Sequence, residues 1–106
     1  MNESAKINEP EYVKEARGDF VKFRDKWMKH VLSKDWLSQT ERLIAIRIAL
    51  YANFDDKFAR PSIATIAIDS ALSKRTIIRA INKLEAEGLL FIERRKRGVN
   101  RYWLTI

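Results

Sequence analysis

The sequence predicts a mostly helical α+β domain of about four helices followed by a two-stranded β-hairpin, and three observations predict it. Apolar residues between Phe20 and Leu84 recur at helical spacing in separate blocks, each opened by a residue able to cap a helix: Asp19, Ser38, Ser62 and Ser73. Past Gly88 the pattern changes to two short apolar runs, Leu89 to about Arg94 and Asn100 to Ile106. The residues between those runs are cationic and contain Gly98, as a hairpin tip requires.

At 106 residues the chain is expected to form one domain with a single core. An apolar share of 46% and three tryptophans point to a folded protein rather than a disordered basic tail. No apolar run approaches membrane-spanning length, and Met1-Asn2-Glu3-Ser4-Ala5-Lys6 lacks a signal-peptide pattern. Neither a membrane partner nor secretion is expected. Cysteine is absent, which excludes disulfide and thiol chemistry and fits a cytoplasmic, nucleoid-associated setting.

Taken in order, residues 1–18 are polar without sustained periodicity and read as a flexible arm, with one helical turn near Tyr12-Val13 at most; the domain is expected over 19–106. Asp19 is placed to cap a helix to about Leu32, whose stripe is Phe20, Phe23, Trp27 and Val31. A second helix begins near Leu37, where Ser38 and Glu41 form an S-x-x-E capping box. From Leu43 to Ala52 it is almost wholly apolar, with Arg47 its one charge, so it is expected to be the central helix, covered on several sides. Asn53 to Arg60 reads as a loop ended by Pro61. Ser62 then caps a short helix that stops near Asp69 or Ser70. Ser73 caps the next, about 73–87, with Leu72 and Ile77 placed as a hydrophobic staple and Ile77, Ala80, Ile81 and Leu84 as the inward stripe. Gly88 suits the left-handed residue that ends it.

The formal net charge of +7 is unevenly spread. Lys74 to Arg101 holds nine cations against three anions, while the rest of the chain holds twelve against eleven. Nearly all the excess lies in a quarter of the molecule, which is a directional field and the kind of surface a polyanion selects.

The phrase Leu72-Ser73-Lys74-Arg75-Thr76-Ile77-Ile78-Arg79-Ala80-Ile81, running on through Leu84-Glu85-Ala86-Glu87-Gly88-Leu89-Leu90, resembles the recognition helix and first wing strand of GntR-type and MarR-type bacterial regulators, which are winged helix-turn-helix proteins. Pro61-Ser62-Ile63-Ala64-Thr65-Ile66-Ala67 resembles the helix before it, and also the helix-turn-helix module of phage and plasmid replication proteins. Two departures stand out. Many relatives have Gly where Ala71 stands, and a left-handed Ala costs roughly 1–2 kcal/mol, so the turn is expected to be either strained or differently shaped. Ser70 replaces a customary core Leu and Ile68 a customary polar residue, so the first helix is expected either to rotate or to end early.

The resemblance implies that the second helix enters the major groove of duplex DNA with its N-terminal residues toward base edges. Base contacts are then expected from Lys74, Arg75, Thr76, Ile78 and Arg79. Arg75 and Arg79 lie one turn apart, and a guanidinium fork matches the O6 and N7 atoms of guanine. Ile78 either meets a thymine methyl or packs on the wing. Backbone contacts are expected from Ser62, Ser73, Asn82 and Lys83, and from the wing residues Arg94, Arg95, Lys96, Arg97, Asn100 and Arg101. Glu85, Glu87 and Glu93 are expected to engage one or two of the wing cations Arg94, Arg95, Lys96, Arg97 and Arg101 instead.

Trp27, Trp36, Trp103, Phe20 and Phe23 are expected in the core or an interface rather than as base-stacking platforms, because aromatics and cations interleave only at Tyr102 and Trp103. The Phe20, Phe23 and Trp27 stripe either packs on the central helix or pairs with a second copy in a homodimer, or does part of each. Catalysis is not expected. His30 stands alone, and no metal-ligand cluster or phosphate-cradling glycine loop occurs among three glycines, so no cofactor, metal or small-molecule ligand is anticipated. The expected function is a small bacterial or phage transcriptional regulator, repressor-like, binding specific double-stranded sites. The alternatives are the DNA-binding domain of a plasmid or phage replication initiator, and a winged-helix module whose basic face docks an acidic protein.

Overall fold

Three helices begin at a serine whose hydroxyl takes up an orphan amide of the first turn, and the structure, a computed structural model that describes residues 11–106, is laid out by these starts. The order is α1 (Glu11–Leu32), α2 (Gln39–Tyr51), α3 (Ile63–Ser70), α4 (Lys74–Ala86), then the antiparallel strands β1 (Leu90–Glu93) and β2 (Arg101–Leu104). Ser38 and Glu41 form the full capping box, with Glu41 N to Ser38 Oγ at 3.0 Å and Ser38 N to Glu41 Oε1 at 2.9 Å. Ser62 Oγ accepts from Thr65 N at 3.0 Å and Ser73 Oγ from Thr76 N at 3.1 Å. The mostly helical α+β architecture is the expected one.

The start of α1 differs from expectation. Asp19 lies inside this helix rather than capping it, because α1 already runs from Glu11. Glu11-Tyr12-Val13-Lys14-Glu15-Ala16-Arg17 lacks apolar periodicity, yet consists mainly of good helix formers. The cost of about 1 kcal/mol for Gly18 inside a helix is smaller than their combined preference. The expected arm thus divides between residues 1–10, outside the described residues, and the first turns of α1.

The core forms around α2, which packs against α1, α3 and α4. Its inward residues are Ile44, Ala45, Ile48 and Ala49, all fully buried, and the two alanines let neighbouring helices approach closely. The expected cover on several sides is incomplete, since Leu43, Leu50 and Tyr51 stand exposed on the outer face of α2. The inward stripe of α4 is the expected one: Ile77, Ala80, Ile81 and Leu84 are buried. Burying Ile77, Ile81 and Leu84 is worth about 1.5–3 kcal/mol apiece, so rotations of α4 that expose them cannot compete.

From α1, Trp27 and Val31 enter this core completely, whereas Phe20 is half-buried and Phe23 exposed. The Trp27 indole N–H donates to Leu89 O at 3.0 Å and Thr105 O at 2.8 Å, clasping both ends of the hairpin from 62 and 78 residues away in sequence. Trp27 is therefore committed within the chain and is not available to the homodimer face expected for it. Of the core or interface expected for it, Trp36 is not in the core: it is 53% exposed and donates to Glu87 Oε1.

Both turns around α4 end a helix by the same bond pair. At the end of α3, Leu72 N reaches Ala67 O and Ala71 N reaches Ile68 O; at the end of α4, Leu89 N reaches Leu84 O and Gly88 N reaches Glu85 O. The pivot is left-handed in each case, Ala71 at φ 56° and Gly88 at φ 75°. So the turn is helix-turn-helix geometry made with an alanine, and it carries strain. Ile68 is 80% exposed, and the Ser70 hydroxyl is buried without a partner, as two side chains out of place on a helix that ends at Ser70.

In the hairpin, Leu90 pairs with Leu104, Phe91 with Trp103, Ile92 with Tyr102 and Glu93 with Arg101. Leu90, Ile92, Tyr102 and Leu104 face the core. The segment read as a plain loop contributes a third, one-residue strand: Ala59 N donates to Tyr102 O at 2.9 Å and Tyr102 N to Ala59 O at 2.7 Å. Phe58 and Ala59 are accordingly buried.

Replacing Trp27 with Phe should cost about 2–4 kcal/mol, the sum of lost packing and the hydrogen bonds lost at Leu89 O and Thr105 O, measured by urea unfolding; Leu89 O keeps its bond from Thr105 N. Ala71→Gly should stabilise by about 0.5–1 kcal/mol in the same assay, since relief of the left-handed alanine outweighs the added unfolded-state freedom.

Candidate nucleic-acid interface

With its apolar stripe fixed inward, α4 turns the opposite face to solvent. Lys74, Arg75, Ile78, Arg79 and Asn82 are exposed there, and Ile78 is 47% exposed despite being aliphatic. Thr76 is half-buried, its hydroxyl 2.9 Å from Ser73 Oγ, so both side chains serve the helix start. Ser62 is used the same way in α3, its Oγ also donating to Thr65 Oγ1 at 2.9 Å. What Ser62 and Ser73 leave outward is backbone at two helix N-termini, where amide groups and the helix dipole favour an anion.

The position of the hairpin relative to α4 follows from one cleft between them. It has a volume of about 260 Å³ and is lined by Ile63, Ile78, Ile81 and Asn82 on the helical side and by Ile92, Arg94, Asn100 and Tyr102 on the hairpin side. A second hollow of about 220 Å³ continues it past Pro61 and Ser62 to Gly98 and Val99. The start of α3, the outward face of α4 and the hairpin tip therefore border a common depression. By helical angle, Ile78 and Asn82 line its wall while Arg75 and Arg79 stand farther out on the same exposed side.

Three of the expected cationic contacts are engaged within the chain. Arg94 holds Glu85 through two parallel bonds of 2.9 Å, Nη1 to Oε2 and Nη2 to Oε1. Lys83 lies 3.5 Å from Glu87, and Arg101 lies 3.7 Å from Glu93. The guanidinium of Arg94 holds the Glu85 carboxyl below the usual carboxylate range. Because that pKa is lowered on folding, the contribution is present above the unfolded value and is lost as pH falls through the folded one. In bulk terms the pair is worth little at an exposed position; its effect is to pin the tip side of β1 to the last turn of α4. Arg94 thus positions the hairpin rather than standing free on it.

Asn100 is also turned inward on the hairpin. Its Oδ1 accepts from Arg95 N at 3.2 Å, and its side chain bonds the Tyr102 phenol, whose pKa burial raises. Lys74, Arg75, Arg79, Arg95, Lys96 and Arg97 remain exposed, with no ion-pair partner among the described residues. Two wing cations, Arg94 and Arg101, pair with glutamates, within the one or two expected; the Lys83–Glu87 pair follows from i,i+4 spacing, whereas Glu85 and Arg94 meet only because Gly88 reverses the chain between them.

Among the described residues no helix is long and apolar enough to cross a membrane, and no group of His, Asp or Glu is placed to hold a metal. No curated protein and no solved structure matches the chain. One family model, described as a helix-turn-helix domain, matches residues 35–90. That span takes in α2, α3, the left-handed turn at Ala71, α4 and the entry to the hairpin, more than half of the chain; the protein belongs to this helix-turn-helix domain family, and its membership implies DNA binding.

Proposed function

We propose that this protein is a sequence-specific double-stranded DNA-binding regulator, of bacterial or phage type and repressor-like, with α4 as its reading helix and the hairpin as its wing. The observation that carries this reading is the set of exposed cations without an ion-pair partner among the described residues, Lys74, Arg75 and Arg79 on α4 and Arg95, Lys96 and Arg97 on the hairpin, carried by the two elements whose other residues wall the adjoining hollows. Arg75 and Arg79 project from adjacent turns and suit guanine edges in the major groove, each bidentate contact discriminating by about 1–3 kcal/mol. Ile78 offers a methyl surface for thymine, and Lys74 reaches either a base or a phosphate.

The amides at the starts of α3 and α4 suit phosphates on the two sides of the groove. The wing tip suits the neighbouring backbone or minor groove. Asn82 faces the cleft wall and fits a backbone contact there. Lys83, Arg94 and Arg101, already paired, serve the site by placement and by general positive field rather than by direct contact. Occupancy of a promoter-overlapping site is the mode of action proposed for this surface. The extent of the domain is proposed as 19–106 together with the earlier turns of α1, and a homodimer would use the exposed Phe23 beside Phe20 rather than Trp27.

A selection from random duplexes with the purified chain should return one sequence motif, and its symmetry reports oligomeric state through half-site spacing. Arg75→Ala with Arg79→Ala should weaken binding to that motif at least a hundredfold and flatten preference at the contacted guanines, read by fluorescence anisotropy. Duplex binding unaltered by this pair would remove α4 as the reading helix. With roughly four to six phosphates neutralised, log affinity should fall against log salt with a slope of about −4 to −5, and Arg95→Ala with Arg97→Ala should reduce that slope by about 2. Binding insensitive to salt would sink the electrostatic part of the reading. Chromosomal footprints at clustered repeats near an origin, instead of promoters, would assign the domain to replication initiation.

A further inference from the structure

The outer face of the hairpin carries a feature that duplex binding does not use. Strand alternation sends Leu90, Ile92, Tyr102 and Leu104 inward, and so places Phe91, Glu93, Arg101 and Trp103 on the opposite side. Phe91 sits directly across from Trp103 in the register and is 58% exposed. Trp103 is half-buried, and its far side meets Phe58 at 5.1 Å between ring centroids. Three rings therefore run in a row across three strands, buried at Phe58 and open at Phe91.

The polar groups on this face neutralise one another. Glu93 accepts from Trp103 Nε1 at 3.3 Å and pairs with Arg101 at 3.7 Å, while the Arg101 guanidinium lies over the Phe58 ring at 4.7 Å. Neither the carboxylate nor the indole N–H is left seeking a partner, and the open surface is the aromatic edge. Immediately past it come Arg95, Lys96 and Arg97, exposed and unpaired.

We propose that this outer face binds single-stranded nucleic acid, with unpaired bases stacking on Phe91 and Trp103 and the strand's phosphates held by Arg95, Lys96 and Arg97. Charge complementarity favours a nucleic acid over a protein segment: three consecutive cations adjoin the rings, and the one carboxylate on the face is already neutralised. A duplex cannot be the occupant, because its bases are stacked on one another and offer no open ring face. The site goes beyond duplex recognition by α4, and it gives the wing two distinct surfaces, a basic tip and an aromatic flank.

The test uses the full chain and three labelled probes at equal salt, read by anisotropy: a strand of about twelve thymidines, an abasic strand of the same length, and a duplex carrying the selected motif. The thymidine strand should bind about tenfold or more tighter than the abasic strand, since both carry the same phosphates and only one has bases. Phe91→Ala should erase most of that difference while duplex affinity stays within about twofold, and Phe91→Trp should preserve it. Phe91 is exposed enough that both variants should keep the parent melting temperature.

Equal affinity for the two single strands would overturn the proposal. So would a thymidine preference that Phe91→Ala leaves intact, a result placing the base contacts away from this face. If the duplex fails to bind yet the thymidine preference persists and depends on Phe91, the regulator reading fails and this site stands.

Discussion

One buried indole decides where the wing sits. Trp27 Nε1 bonds the carbonyls of Leu89 and Thr105, the residues at which the hairpin leaves α4 and at which it ends. The bond to Leu89 O is buried and the one to Thr105 O part-buried, so the donor is worth more than an exposed hydrogen bond. The indole body simultaneously fills the space between α1 and the hairpin base. With both ends of the hairpin held, its direction relative to α4 is set before any surface charge contributes.

A second restraint then fixes rotation about that base. Arg94 and Glu85 form a fork-on-fork pair between the hairpin and the last turn of α4, in the geometry that carboxylate and guanidinium share. At a solvated position such a pair contributes orientation more than stability. The consequence for recognition is a division of labour among cations that look alike in sequence. Arg94, Lys83 and Arg101 are held by glutamates, whereas Arg75, Arg79, Arg95, Lys96 and Arg97 are exposed with no ion-pair partner among the described residues. A surface of this kind delivers net charge and a defined shape at once, which electrostatic steering followed by groove docking requires.

The α3–α4 turn shows how much geometry the fold imposes on an unsuited residue. Ala71 adopts the left-handed conformation that glycine would enter freely, because Leu72 N and Ala71 N must both find carbonyls of α3. The strained Ala71 is next in sequence to Ser70, whose buried hydroxyl has no hydrogen-bond partner among the described residues, while Ile66, Ala67 and Ile77 of the two flanking helices are buried. Elsewhere the loop from Asn53 to Arg60 is held by a similar trade. Lys57 takes a positive φ while its ammonium group lies 3.6 Å from the Phe54 ring centroid and donates to Phe54 O at 2.7 Å.

From the amino-acid order alone, the helix starts at Ser38, Ser62 and Ser73, the inward stripe of α4, the Gly88 stop and the two strands of the hairpin could all be read. Each depends on neighbours within a few residues, where capping, periodicity and backbone conformation are local. The early start of α1, the exposure of Trp36, the extra strand at Ala59 and the aromatic row through Phe58, Trp103 and Phe91 could not. These depend on which surfaces meet across long stretches of chain, and an aromatic side chain has the same composition whether it is enclosed or open. The same holds for the cations: their number and clustering are written in the order of residues, but only the folded arrangement decides which are neutralised, because an ion pair forms where the backbone brings its two halves within a few ångströms.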